Sequence, residues 1–407
     1  MDLLERGLVE GTVNETEQTR KLTIAGRTNI YPVYSVQLDK LFYNEQNDRI
    51  ATWVSQYKSE HGVSDLGMDD REAYNKIIEQ FIVESNPEAI KKTKNNIDFV
   101  GQQVAGVTLS DGRIVDGNRR FTCLRQLAKH NPKFNYFETV ILKEDIKSNA
   151  KQIKMLELMI QRGEESRIDY NPIDRLVGVY NDIILNKLLT VEEYAMSTNT
   201  EEGDIRKEVE LAQLMAQFLK FIRSPSAFHI ARELNLNGPL LELQGILKRE
   251  TDEARMEDIK NAVFANLVVE PKGDMTRFVR EMKKVIKSKH GDDYLEEQLD
   301  IAEAVGDVIK DSPSSLDGIR TIRKDKEKDD GLTQKMKDST ERAVGRVNAV
   351  ETRNRPFLIL RKASESIGEI DPNIFCKLDA QQKDDIVEQM EEIVGLLDGL
   401  KEALRVH

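Results

Sequence analysis

The clearest pattern of apolar and polar positions lies between residues 101 and 142. In GQQVAGVTLSDGRIVDGNRRFTCLRQLAKH a strand ends at Leu109, Ser110-Asp111-Gly112 supplies a hairpin turn, and residues 113 to 115 return as a strand. Asp116-Gly117-Asn118 then leads into a helix carrying Phe121, Leu124 and Leu127 at helical spacing. FETVIL, at 137 to 142, predicts one more short strand. Upstream, NIYPVYSVQLDKLFYN mixes alternating apolar positions with aromatic and β-branched types, as a half-buried strand followed by a turn does. Ala73, Ile77, Phe81 and Ile82 have helical spacing, and Ser85-Asn86-Pro87 ends or restarts that helix.

Beyond residue 147 the pattern becomes helical, at about 149 to 163, 171 to 187, 190 to 197, 201 to 222, 225 to 248, 252 to 268 and 274 to 288. Residues 311 to 340 are poor in apolar side chains and dense in mixed charge, which predicts a linker or solvated face. The last helix has apolar residues at 386, 390, 393, 397, 400 and 404, the four-three spacing of a coiled-coil seam. That spacing leaves both packing on its own domain and dimerisation open. The expected fold is α+β. It has an N-terminal arm over 1 to 28, a small mixed-sheet domain over 29 to 147, and a helical domain over 148 to 310. A charged linker over 311 to 340 and a helical C-terminal region over 341 to 407 follow.

At 407 residues the chain exceeds one ordinary domain, and its net charge of −12 argues against indiscriminate coating of nucleic acid. Any basic site has to be local. No apolar run approaches the roughly 20 residues that span a bilayer, so a cytoplasmic protein without membrane association is expected. Cys123 and Cys376 lack CxxC spacing and are expected to be buried thiols. The five histidines form no HxH or HExxH pattern, so no metal site is expected.

Anion binding is physically easiest at Asp116-Gly117-Asn118-Arg119-Arg120. Gly117 lets the backbone turn, the helix start offers unpaired N–H groups, and adjacent arginines present bidentate forks. Arg125, about a turn later, is a further candidate. The string alone leaves a second reading open, in which one arginine pairs with Asp116 or Glu138 and the turn is only a turn.

This junction resembles the place where ParB proteins carry a GERR box that grips a nucleotide triphosphate. Other landmarks follow in the family's order. Asn44-Glu45-Gln46-Asn47-Asp48-Arg49 looks like N-x-x-N-P-R. Glu157-Leu158-Met159-Ile160-Gln161-Arg162, then Asp169-Tyr170-Asn171-Pro172-Ile173-Asp174-Arg175-Leu176, is similar to E-N-x-Q-R followed by D-L-N-P-I-E-x-A. Leu189-Thr190-Val191-Glu192-Glu193-Tyr194-Ala195 resembles the opening of the family's helix-turn-helix. The likeness covers residues 29 to about 222. It implies a ParB/sulfiredoxin-like N-terminal domain and CTP or another nucleoside triphosphate as ligand. The implied contacts are Asn47, Arg49, Asp116, Gly117, Asn118, Arg119, Arg120, Gln161 and Arg162.

The chain departs from the family where Asn118 replaces the GERR glutamate and where the E-N pair falls on Leu158 and Met159. Without those oxygen ligands, Mg²⁺-assisted hydrolysis loses its expected coordination. Nucleotide binding with weak or absent turnover is the expectation. Sulfiredoxin's reactive cysteine would fall on Asn118, which excludes thiol chemistry there.

The resemblance also implies a helix-turn-helix with Ala195 in its first helix, Asn199 at the turn, and Thr200, Arg206 and Lys207 facing DNA. Glu201, Glu202 and Asp204 suit the dipole of that second helix but repel phosphates. A second basic group comprises Arg342, Arg346, Arg353, Arg355, Arg361 and Lys362. The leading expectation is a ParB-like DNA-binding protein of partition, regulation or mobile-element defence, dimeric through its C-terminal helices. The alternatives are a nucleotide hydrolase, phosphotransferase or nuclease using the same pocket, or a protein-interaction adaptor with degenerate sites.

Overall fold

Five strands form one sheet in the computed structural model, which describes residues 3–24, 27–143, 146–163, 171–311, 315–324 and 331–406. They are β1 (Val13–Ile24), β2 (Arg27–Gln37), β3 (Gly106–Leu109), β4 (Ile114–Asp116) and β5 (Tyr136–Leu142). The order is β1-β2-β5-β3-β4, and β3 runs parallel to β5 while the other neighbours are antiparallel. This small mixed sheet followed by helices is the expected α+β fold.

Side-chain alternation places a core on each face of the sheet. Phe137 and Ile141 of β5 join Ile114 on one face, and Val140 and Leu142 join Val115 on the other. The first face is covered by α2 (Ala51–His61), α3 (Arg71–Ser85), α4 (Pro87–Val100) and α5 (Asn118–Ala128). The second is covered by Ile153, Leu156 and Ile160 of α6 (Ile146–Gly163). Asn86 separates α3 from α4 because its side chain caps Ala89 and Pro87 can only begin a helix.

The expected arm is part of this domain. It forms α1 (Leu3–Glu10) and β1, which pairs with β2 from Val13↔Val36 to Ile24↔Arg27 and buries Val13 and Leu22. Cys123 is buried and bonds the Ile90 carbonyl at 3.6 Å, and burial pushes its thiol up to about 11. Cys376 is exposed, contrary to expectation.

The helical region contains α7 (Pro172–Val179), a π-helical turn (Tyr180–Leu185), α8 (Val191–Thr198), α9 (Glu202–Phe221) and α10 (Phe228–Glu233). It continues with α11 (Asn237–Leu247), α12 (Glu253–Val269), α13 (Met275–Ile286), α14 (Gly291–Asp311) and α15 (Leu316–Lys324). The helix expected over 225 to 248 is divided in two, with Asn235 left-handed at φ 51° between α10 and α11. The last two helices are α16 (Leu332–Gly368) and α17 (Ala380–Val406).

The described part of the expected linker is helical and packed. Ile319, Ile322, Leu332 and Met336 are buried, and Arg323 donates to the carbonyls of Leu267 and Val268 at the end of α12. Its mixed charge had hidden these four apolar anchors. Residues 312–314 and 325–330 lie outside the described residues.

The chain divides into two compact units, 1–344 and 345–407. In the second, Met390, Ile393, Leu397, Leu400 and Leu404 of the expected seam are exposed and Ile386 is half-buried. Among the described residues no helix is long and apolar enough to cross a membrane.

Candidate anion-binding site

The site is built where β4 passes into α5. Alternation points Asp116 to the same face as Ile114, towards the helices. There its Oδ2 accepts from Arg20 Nη1 at 2.8 Å and Arg120 Nη2 at 3.1 Å. Gly117 follows at φ +100°, and a β-carbon there would lie 2.8 Å from Phe137 Cζ, so backbone conformation and space both require glycine. Asn118 then starts α5, whose amides receive no side-chain cap. The Asn118 side chain is 8% exposed, and its Oδ1 has no hydrogen-bond partner among the described residues.

A cavity of about 190 Å³ opens at this helix start, lined by Asn47, Arg49 and residues 116 to 120, with Ile82, Ser85 and Thr93 completing the wall. Two landmarks well separated in sequence therefore meet. Asn47 holds its own turn by accepting from the Arg49 N–H at 3.1 Å. Among the described residues the lining brings Arg49, Arg119 and Arg120 together beside Asp116, and the uncapped amides at the start of α5 suit an anion.

Other expected contributors do not arrive. Arg125 turns away and bonds Glu79 at 2.9 Å and Glu72 at 3.0 Å, which removes it from the cavity. Gln161 and Arg162 belong to the end of α6, but their side chains, like residues 164–170, lie outside what the structure describes. Leu158 is core, and Glu157 is buried 3.8 Å from Lys154 rather than at the cavity. Asp116, the only carboxylate among the described residues that line the cavity, is already shared by two arginines. The described donors do not fit a Mg²⁺ ion, and among the described residues no group of His, Cys, Asp or Glu is placed to hold a metal.

Sequence reasoning missed Arg20, which lies in the supposed arm and carries no local signal. It also missed a buried charge cluster around Lys154. Lys154 Nζ lies 2.8 Å from Asp48, 3.4 Å from Asp182 and 3.8 Å from Glu157, beside the π-helical turn. Burial works against the ammonium, but the three carboxylates outweigh it and hold its pKa well above the ordinary lysine value. Gly178 lets Asp48 approach, since a β-carbon there would lie 2.5 Å from the carboxylate. Nearby, Asp174 accepts from Thr52 Oγ1 at 2.6 Å, and burial pushes its carboxyl up to about 6.

The segment expected to read DNA has the required local form. Thr190 and Glu193 make a capping box for α8, Ala195 is buried, Asn199 is left-handed at φ 49°, and α9 follows. Its cations are paired locally. Arg206 bonds Glu202 at 3.3 Å, Lys207 bonds Asp204 at 2.8 Å, and Thr200 Oγ1 is 2.7 Å from Thr198 Oγ1. Of the second basic group, Arg342 pairs with Glu297 and Arg361 with Glu365. No family model matches this chain, and no curated protein matches it.

Proposed function

We propose that the chain is a ParB-like, nucleotide-binding protein whose cavity at the start of α5 takes the phosphates of CTP or another nucleoside triphosphate. The observation that carries this reading is the convergence of Asn47, Arg49 and Asn118 to Arg120 on one cavity, around a buried Asn118 oxygen with no partner. Binding without efficient hydrolysis fits the lining, because its described residues supply no second carboxylate for Mg²⁺. The test is a melting-temperature series with CTP, other nucleoside triphosphates and CMP, on wild type and Arg119→Ala. A shift of a few degrees that the variant loses supports the reading. Indifference of wild type to every nucleotide overturns it.

DNA binding is the second reading, favoured by the capped α8, the left-handed Asn199 and the following α9. Its mark is duplex binding that weakens with salt and with Arg206→Ala plus Lys207→Ala. A role in partition, regulation or defence rests on that result.

A second copy of the C-terminal unit is the partner proposed for its exposed apolar faces. Residues 345 to 368 carry five cations and two carboxylates, whereas α17 carries three and seven, so the two segments complement each other across a dimer. Sedimentation of the full chain as a monomer at micromolar concentration rules this out.

A further inference from the structure

Two walls of the cavity, Asn47 and Arg49, stand on either side of Asp48, yet Asp48 is not part of the lining. Asp48–Ile50 is a single 3-10 turn capped by Asn47, and at about three residues per turn its successive side chains diverge by roughly 120°. Neighbours in such a turn cannot share a face. Asp48 points away from the cavity, and its side chain, 5% exposed, meets the ammonium of Lys154 at 2.8 Å. We infer, on the nucleotide reading of the cavity, that Lys154 is a positioning residue: by gripping Asp48 it fixes the turn that presents Asn47 and Arg49 to the phosphates.

The turn shapes itself with short-range bonds. The Gln46 N–H donates to Asn44 Oδ1 at 3.1 Å, the Asn47 N–H to the Asn44 carbonyl at 3.3 Å, and the Arg49 N–H to Asn47 Oδ1 at 3.1 Å. These bonds move with the turn, so they cannot set its rotation against the rest of the fold. Lys154 comes from α6, a separate helix, and its Nζ donates to the Gln46 carbonyl at 3.4 Å as well as to Asp48 Oδ1. Grips on Gln46 and Asp48, the two neighbours of Asn47, fix both position and rotation.

The anchor is stiff. Asp182 at 3.4 Å and Glu157 at 3.8 Å hold the ammonium from outside the turn, so it does not follow Asp48. The carboxylates outweigh the cost of burial and keep the ammonium charged. Asp48 has little room to shift, since a β-carbon on Gly178 of α7 would lie 2.5 Å from its Oδ2. Phosphate binding by an arginine fork depends on direction, and a site works only when its groups are held within about 0.5 Å. Loosening the turn therefore lowers affinity without removing any group from the cavity.

The experiment is calorimetric titration of the full chain with CTP at constant ionic strength, with the folded state of each variant checked by circular dichroism at the same temperature. Lys154→Met removes the anchor. Gly178→Ala keeps every charge but displaces the Asp48 carboxylate, and it decides the matter alone if Lys154→Met does not fold. Affinity about tenfold weaker in Lys154→Met and about threefold or more weaker in Gly178→Ala is the expected result. A cycle with the cavity arginines separates positioning from general loosening. In an Arg49→Gln background either change should cost less than about twofold further, whereas in an Arg120→Gln background its full loss should persist. Equal losses in the two backgrounds, or wild-type affinity in every single variant that folds, overturn the positioning role. Wild-type protein that binds no nucleotide overturns the reading of the cavity instead, and Lys154 then serves the fold alone.

Discussion

At the start of α5, Arg120 shares Asp116 with Arg20, brought from β1, whereas at the start of α9 Arg206 and Lys207 are matched by Glu202 and Asp204 of their own turn. Both are helix starts with neighbouring cations. In the first, tertiary pairing half-buries the arginines around a cavity, where low dielectric strengthens any interaction with an anion. In the second, the ion pairs lie in water, screened and satisfied without help from the rest of the fold. The contrast teaches that a basic motif becomes a binding site through what surrounds it, and that cation count alone is a poor guide.

The largest expected effect tests whether buried charge here is interlocked. Lys154→Met removes the ammonium facing Asp48, Asp182 and Glu157 and should cost about 3–5 kcal/mol in urea unfolding of the full chain. An unchanged midpoint would mean that this cluster behaves like the surface pairs of α9, and the comparison would break.

A smaller effect comes from Asp174. Its folded pKa of about 6 lies above the ordinary 3.8, so the folded state holds that proton more tightly than the unfolded chain does. The ionised side chain thus disfavours folding increasingly as pH rises from about 4 through 6, and levels off above. Asp174→Asn keeps an acceptor for Thr52 and escapes this penalty. Its stability relative to wild type should therefore climb by about 2–3 kcal/mol between pH 4 and pH 7. A difference that stays flat with pH would remove the argument that Asp174 is strongly desolvated.

The smallest effect belongs to α9. Lys207→Ala or Arg206→Ala should leave the urea midpoint almost unchanged, because each breaks only an exposed pair. If either side chain contacts phosphates, the same change lowers the salt slope of duplex binding by about 1. A slope unaffected by both sharpens the comparison, leaving α9 a packing helix.

Much of the N-terminal domain was legible because its signals are local. Alternation around Ser110-Asp111-Gly112 and the spacing of Phe121, Leu124 and Leu127 specify strand, turn, strand and helix without reference to the rest of the chain. The same holds for Asn86-Pro87 and for the capped α8. Less legible were the arm and the supposed linker. Polar β1 reads as either a short hairpin or an extended arm until its pairing with β2 decides for the hairpin, and α15 hides Ile319 and Ile322 among charges.

The site divides along the same line. Sequence by itself determined that Gly117, Asn118, Arg119 and Arg120 occupy a strand-to-helix junction, because turn chemistry and periodicity act over a few residues. Only the tertiary structure decided that Arg125 is consumed by Glu72 and Glu79 and that Arg20 orients Asp116. Those outcomes depend on which charges meet across the fold, and pairing between distant residues leaves no periodic trace along the chain.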